Sequence, residues 1–271
     1  MAYRRGRWKN WRMAAGLLLM AAAAIAHAQT LRCPVRIAAA ADLEPVLPQV
    51  IQAFESETGM HATATYESSS ALTAQILNGA EFDLFLSADM SYPTRVIAAG
   101  MGTTTQPVPY AQGVLVLFAR QDSPWPQPTL ELLRDARLRR LAIADPARAP
   151  YGRAAVAAME NLGLTAVLKP KLVTAANIAQ AAQFAETGNA DAGLISQTAA
   201  VTPALRAAGS FVVVPQRLYP AIEQGAVVLA KSGGRENAQR FLDFLRSPEM
   251  QEQLEKGGLM PVNPTARHAA N

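Results

Sequence analysis

Three consecutive serines, Ser68, Ser69 and Ser70, stand between an alternating stretch, HATATY, and a run with apolar residues at Leu72, Ile76 and Leu77. The first pattern is that of a short strand, the second that of one helical face. A strand that empties into a helix through serines aims the free N–H groups of the helix start, with hydroxyl donors beside them, at one point. That geometry holds an anion. The plainer use of such serines is an ordinary helix cap, which is what most of them are. Three further turns of the same kind lift the anion reading above it: Ala41-Asp42, Ala149-Pro150-Tyr151-Gly152 and Ala175-Ala176-Asn177-Ile178.

Other chemistry finds few residues. Beyond His27 in the leader described below, the histidines are His61 and His268, and Cys33 is the single cysteine. Neither a zinc site nor a Ser-His-Asp relay is readily assembled from that set. Glu67 and Ala71 occupy the places where a nucleophile elbow needs glycines. Asp83 and Asp89 flank FDLFLSAD and invite an acid–base pair, but solvation or capping at strand ends is the expected role.

The chain opens with Arg4, Arg5, Arg7, Lys9 and Arg12, runs through AAGLLLMAAAAIA and reaches Ala26-His27-Ala28, a small-x-small cleavage pattern. Residues 1–28 are therefore expected to be an export signal, since the apolar run is shorter than the ~20 residues of a membrane span. Those five basic residues leave with it, taking Lys+Arg from 25 to 20 against 21 Asp+Glu. A near-neutral mature chain argues for no nucleic-acid partner. One cysteine excludes an internal disulfide despite an oxidising destination. Arg32 before Cys33, where a lipoprotein signal carries a small residue, argues against a lipid anchor.

The elements that must position the four turns alternate along the chain. PVRIAAAA is a strand, and Asp42 is expected to cap the following helix, with Pro45 in its first turn and Gly59 at its end. FDLFLSAD has the continuous apolar character of a strand buried in a parallel sheet. YAQGVLVLFAR is expected as one long strand after a Thr/Pro-rich linker, with the passage into the second lobe along GVLVLFA, and ENAQRFLDFLRSPEMQEQLEKGG as one closing helix. Such alternation predicts an α/β fold of two lobes, each an open sheet flanked by helices, with a ligand in the cleft between them. The expected limits are 29–110 plus 220–271 for lobe I and 111–219 for lobe II. Tyr110 and Tyr219 fall at the crossings and should pack the hinge.

AAAADL, YESSSALTAQILNGAEFDLFLSAD, IADPARAPYGRAAVAAMENLG, TAANIAQAAQFAETGNADAGLIS and YPAI, in this order, resemble the periplasmic molybdate-binding proteins, the solute receptors of molybdate ABC importers. The resemblance spreads over nearly the whole mature chain. It implies a hinged two-lobed receptor, not an enzyme, that closes on molybdate or tungstate with neutral donors, holding the ion by its oxygens with no direct metal ligand and no cofactor. Carried over by position, the contacts fall on Ala41, Ser69, Tyr151, Ile178 and Ser196. Many relatives have serine where Ala41 stands and some have tyrosine at Ser196. Either the Ala41 N–H serves alone or Asp42 or Tyr151 completes the shell. The resemblance also implies a periplasmic monomer that delivers its anion to an inner-membrane ABC permease.

Molybdate and tungstate carry no proton at neutral pH, so each oxygen wants a donor. A phosphate site profits from a carboxylate that takes the proton of hydrogen phosphate, and a carboxylate in the same place repels a bare dianion. Asp42 is the residue on which that distinction turns. A receptor for sulfate or phosphate is the next reading, and a secreted hydrolase using a serine of the triplet is the third.

Overall fold

The computed structural model describes residues 34–262. The expected leader, Cys33 and His268 lie outside them. From Val35 the chain runs β1 (Val35–Ala40), a 3-10 turn (Ala41–Leu43), α1 (Leu47–Thr58), β2 (Ala62–Glu67), α2 (Ser69–Leu77), β3 (Leu84–Ser87), α3 (Ser91–Ala98) and β4 (Val108–Gly113). β5 (Leu115–Arg120), β6 (Leu141–Ala144), α4 (Pro150–Asn161), α5 (Thr165–Leu168), β7 (Leu172–Ala175) and α6 (Ile178–Glu186) follow. Then come β8 (Ala192–Ser196), α7 (Gln197–Ala200), α8 (Pro203–Ala208) and β9 (Gly209–Val213). The described chain closes with β10 (Ile222–Val228), α9 (Arg235–Leu245), α10 (Pro248–Lys256) and β11 (Met260–Pro261).

Two sheets result, ordered β11-β4-β10-β3-β1-β2 and β7-β6-β8-β5-β9. Each has a parallel core, β3-β1-β2 in the first and β7-β6-β8 in the second, extended by antiparallel strands. The chain leaves the first sheet at Val114 and returns to it at β10. All four residues of β3 are buried, as its apolar run predicts, but one of its neighbours, β10, is antiparallel.

Local sequence accounts for most element ends. Ser68 caps α2, its Oγ accepting the Ala71 N–H at 3.2 Å. Asn177 caps α6 in the same way through the Gln180 N–H at 2.9 Å. Gly59 ends α1 at φ 69°, a left-handed value that a side chain would resist. Leu47, Val50 and Phe54 form the buried stripe of α1, and the Phe54 ring meets Phe241 of α9 edge-on with centroids 4.9 Å apart.

Four expectations are corrected. Asp42 caps no helix: it lies inside the 3-10 turn, and α1 begins only at Leu47 with Pro48 in its first turn. YAQGVLVLFAR is two strands in two sheets, bent at Val114. The closing helix is broken between Leu245 and Pro248, where the Ser247 hydroxyl caps a new helix by accepting the Met250 N–H. Asp83 is neither solvated nor a cap. Its buried carboxylate accepts from the Arg36 backbone N–H at 2.7 Å, the Arg36 guanidinium and the Ser232 hydroxyl at 2.6 Å.

Both tyrosines are buried close to the places where the chain changes sheets. Tyr110 is fully buried and its hydroxyl donates to the Ser87 carbonyl at 3.2 Å, while the Tyr219 hydroxyl accepts the Leu115 N–H at 3.1 Å. One apolar cluster runs through the boundary, joining Ala40, Ala41 and Ala88 of the first sheet's side to Ala149, Tyr151, Ala175 and Ile178 of the second's.

Candidate functional site

The four turns predicted from sequence lie at carboxyl ends of β1, β2, β6 and β7, each followed by a helical turn. Parallel strands put those ends on one side of each sheet, and the two sheets turn those sides toward each other. Ser70 N–H donates to the Arg148 carbonyl at 3.3 Å, which joins the start of α2 to the turn before α4. The 3-10 turn at Ala41 packs against α6 and α7. Ala41, Asp42, Ser69, Tyr151, Ile178 and Ser196 are all buried.

Within this enclosure the donors are distributed as follows. Ser69 is the first residue of α2, Tyr151 is in the first turn of α4 and Ile178 is the first residue of α6. Their N–H groups have no intrahelical acceptor, and the dipoles of the helices favour a negative charge there. The Ser69 Oγ accepts the Ala88 N–H at 3.1 Å, which fixes its rotamer and leaves its own proton to give. The three serines thus divide their work: Ser68 caps the helix, Ser69 offers two donors and the Ser70 N–H bridges to the other sheet's turn.

One predicted side chain gives its proton elsewhere and another serves as a cap. The Tyr151 hydroxyl donates to Asp42 Oδ2 at 3.1 Å, so of this residue only the N–H remains to give. The Ser196 Oγ caps α7, accepting from Thr198 Oγ1 at 2.9 Å and from the Ala199 N–H, which leaves its own proton to give, as at Ser69. Ala41 brings its backbone to the site and no hydroxyl.

Asp42 is the one acid at the centre. Its Oδ2 takes the Tyr151 hydroxyl and Gln224 Nε2, while Oδ1 is buried with no partner, as is Gln224 Oε1. Burial pushes its pKa up from the usual carboxylate range to about 7, against the lowering effect of those hydrogen bonds. Burial, and after it the Asp42 carboxylate, hold Tyr151 and Tyr110 well above an ordinary phenol.

Gln224 and Gly113 are site residues that the sequence pattern does not single out. Gly113 ends β4, and a Cβ there would lie 2.3 Å from the Tyr151 hydroxyl oxygen. Only a glycine lets that tyrosine reach Asp42. Gln224, a buried amide in an apolar strand, is the one local anomaly that points to a polar partner.

A second set of contacts spans the boundary beside the turns. Arg153 of α4 pairs with Asp89, and its guanidinium lies 5.6 Å over the Tyr92 ring. The Tyr92 hydroxyl donates to the Arg148 carbonyl at 3.2 Å. These contacts and the buried turns describe closed lobes. A groove of about 630 Å³ opens elsewhere along the boundary, between α1 and α10 and the α7–α8 segment, and none of the six predicted residues lines it.

Hydrolase chemistry has no support in this site. Among the described residues the one histidine, His61, is exposed and sits against Glu55. No group of three or more metal-ligating side chains occurs among them, and no helix among them is long and apolar enough to cross a membrane.

Two α/β lobes closed around helix-start donors, with no catalytic group among them, define a solute-binding protein. A family model supports that class: residues 35–260 match bacterial extracellular solute-binding proteins, and the chain belongs to that family. It is 37% identical over 221 residues to the molybdate-binding protein ModA of Rhodobacter capsulatus, covering 82% of this chain and 86% of the relative. It is 35% identical over 246 residues to the molybdate-binding protein ModA of Azotobacter vinelandii, covering 91% and 94%. Among solved structures, the Azotobacter vinelandii periplasmic molybdate-binding protein superposes with a TM-score of 0.79 at 27% identity, over 84% of this chain and all of that one.

Proposed function

We propose that this protein captures molybdate, and tungstate with it, outside the cytoplasmic membrane and delivers the anion to an ABC permease. What supports the reading is the set of neutral donors that helix starts of both lobes bring to their buried boundary. They are the first-turn N–H groups of Ser69, Tyr151 and Ile178 and the Ser69 hydroxyl, with the backbone of Ala41. An ion without protons needs only donors. Each such hydrogen bond to a charged oxygen stabilises the complex by roughly 1.5–3 kcal/mol, enough in a small set for submicromolar binding after the cost of closure. The names borne by its relatives favour the same anion.

Export follows from the leader pattern and from membership of an extracellular family, with the periplasm as destination and a monomer as the working form. The capturing contacts are Ala41, Ser69, Tyr151 and Ile178. Ser196 caps α7 and keeps its hydroxyl proton as a further donor.

One observation favours a second reading. The unpartnered Oδ1 of Asp42 could accept the proton of hydrogen phosphate, which would make this a phosphate receptor. Thermal unfolding of the mature protein with molybdate, tungstate, sulfate and phosphate separates the two. Ligand at ~100 times its Kd stabilises by ~2.7 kcal/mol. A rise with molybdate and tungstate is expected. A rise with phosphate alone would replace the first reading by the second, and no rise with any of the four would remove both.

A further inference from the structure

Asp42 is a carboxyl group in a cage otherwise built of neutral donors. Its chain neighbour Ala41 is one of the proposed contacts, and the turn that carries both packs on α6, whose first N–H is that of Ile178. Oδ2 is occupied by the Tyr151 hydroxyl and Gln224 Nε2, and Oδ1 is buried without a donor. As a carboxylate, this group sets an unsolvated negative oxygen beside the place for a dianion. As a carboxylic acid with its proton on Oδ1, it is one more O–H donor in a cage that needs donors. One proton therefore turns the repelling group of the site into a binding group.

We propose that anion capture is proton-linked: Asp42 is the specificity-determining residue of the cleft, and it must carry a proton on Oδ1 when a fully deprotonated tetrahedral dianion is bound. The inference rests on the oxyanion reading above and deepens it. The balance is simple. Free protein with ionised Asp42, one proton and one dianion give a closed complex, and no covalent bond other than the O–H bond forms.

The surroundings make this titration local. Tyr151 bonds Asp42 from α4 and Gln224 from β10, while the neighbouring phenols of Tyr110 and Tyr219 bond Ser87 and Leu115 instead. Of the charged residues on the packed elements, Glu44 follows the turn directly, Glu67 stands opposite Ala40 in the β1–β2 register and Glu223 adjoins Gln224, while Arg148 and Arg153 flank Tyr151 and are paired with Asp145 and Asp89. The facing ends of α6 and α7 present Asn177, Ile178 and Gln197. Neither arginine bonds Asp42 to hold it ionised, since its partners are Tyr151 and Gln224. The buried carboxyl accordingly titrates near neutrality, at about 7, within reach of ordinary changes in pH.

The test is titration calorimetry of the mature protein with sodium molybdate between pH 6 and 8.5, in buffers of different ionisation enthalpy. Molybdate itself does not titrate in that range, so a pH slope belongs to the protein. The expected result is uptake of close to one proton per anion at pH 8.5, little uptake at pH 6, and affinity falling ~10-fold per pH unit above the pKa of the free carboxyl. The variant Asp42→Asn, whose amide is a donor at every pH, should bind with a flat profile and no proton uptake.

Wild-type affinity that is flat from pH 6 to 8.5 with no proton uptake would overturn the proposal, as would an Asp42→Asn slope equal to the wild-type one. Preferential binding of phosphate without proton uptake from the buffer would mean that Asp42 stays an acceptor, and would overturn it as well. Absence of heat with molybdate, tungstate, sulfate or phosphate at every pH would instead defeat the oxyanion reading itself, and the proton linkage with it. Flat but tight molybdate binding leaves that reading intact, so the two failures are distinct.

Discussion

Ser68 and Ser69 are neighbours of one type with separate tasks, and the separation is testable. The Ser68 hydroxyl is used within α2, whereas the Ser69 hydroxyl is held by the Ala88 N–H with its proton free. Ser69→Ala should weaken molybdate binding roughly 10- to 100-fold, the loss of one hydrogen bond to a charged oxygen, with a change in melting temperature too small to account for it. Ser68→Ala should do the reverse, costing ~1 kcal/mol of stability and at most a few-fold in affinity. Calorimetry and thermal unfolding of the two variants decide it. Asp83→Ala is the control: it strips Arg36 and Ser232 of their shared acceptor, so stability falls while molybdate affinity stays.

Asp42 also leaves a mark on the free protein. Its folded pKa of about 7 lies above the unfolded value near 3.8. Between those two values the folded chain binds the proton and the unfolded chain does not, so this group's contribution to stability is greatest below pH 4 and is lost as pH rises to 7. The size of that loss is on the order of 4 kcal/mol. Asp83 has the opposite sign: burial pushes its pKa up, but the hydrogen bonds from Arg36 and Ser232 outweigh this and lower it, so its contribution fades below pH 4. Denaturant unfolding at pH 5 and 7.5, without anion, should show wild type losing more stability than Asp42→Asn over that interval. Parallel losses would mean that Asp42 ionises in the folded chain as it does in the unfolded one.

At the scale of elements, Gly113 shows how a strand end shapes the site. A methyl group there would sit 2.3 Å from the Tyr151 hydroxyl oxygen and 2.8 Å from Cζ. Gly113→Ala should cost ~1–3 kcal/mol through this overlap and push Tyr151 off Asp42. Removing the hydroxyl as well, in Gly113→Ala with Tyr151→Phe, should recover part of the loss, a coupling that a double-mutant cycle by thermal unfolding measures. The four turns are legible in the sequence because caps and breakers are local signals: Ser68, Asn177 and Pro150 each stand at the helix start that they mark. The break at Ser247-Pro248 is local too, but Met250 and Leu254 resume the apolar spacing and mask it. The bend at Val114 is not legible, because GVLVLFA is apolar on both sides of the point where it changes sheets. Nor is the role of Asp42, whose partners lie 109 and 182 residues further along the chain. An acid beside a helix start looks like a cap until those partners are known.

At the scale of the molecule, closure depends on contacts that no anion makes. Arg153 of the second lobe pairs with Asp89 of the first, its guanidinium over Tyr92, and Tyr92 reaches across to the Arg148 carbonyl. Asp89 is mostly covered and is fixed by the Tyr92 N–H at 3.1 Å, so the pair is held better than a typical surface ion pair. Arg153 is nearly half-exposed, which limits the pair to ~1 kcal/mol once solvent screening is allowed for. These contacts span the two lobes, so separating the lobes would break them and they should act on release rather than on encounter. Arg153→Ala should therefore raise the molybdate off-rate about five-fold in stopped-flow measurements while the on-rate moves by less than two-fold, and high salt should bring wild type toward the variant. The anion cage is untouched by this change, so discrimination between molybdate and sulfate should stay as in wild type. A fall in on-rate with the off-rate constant would mean that Arg153 steers the anion inward and does not hold the lobes together.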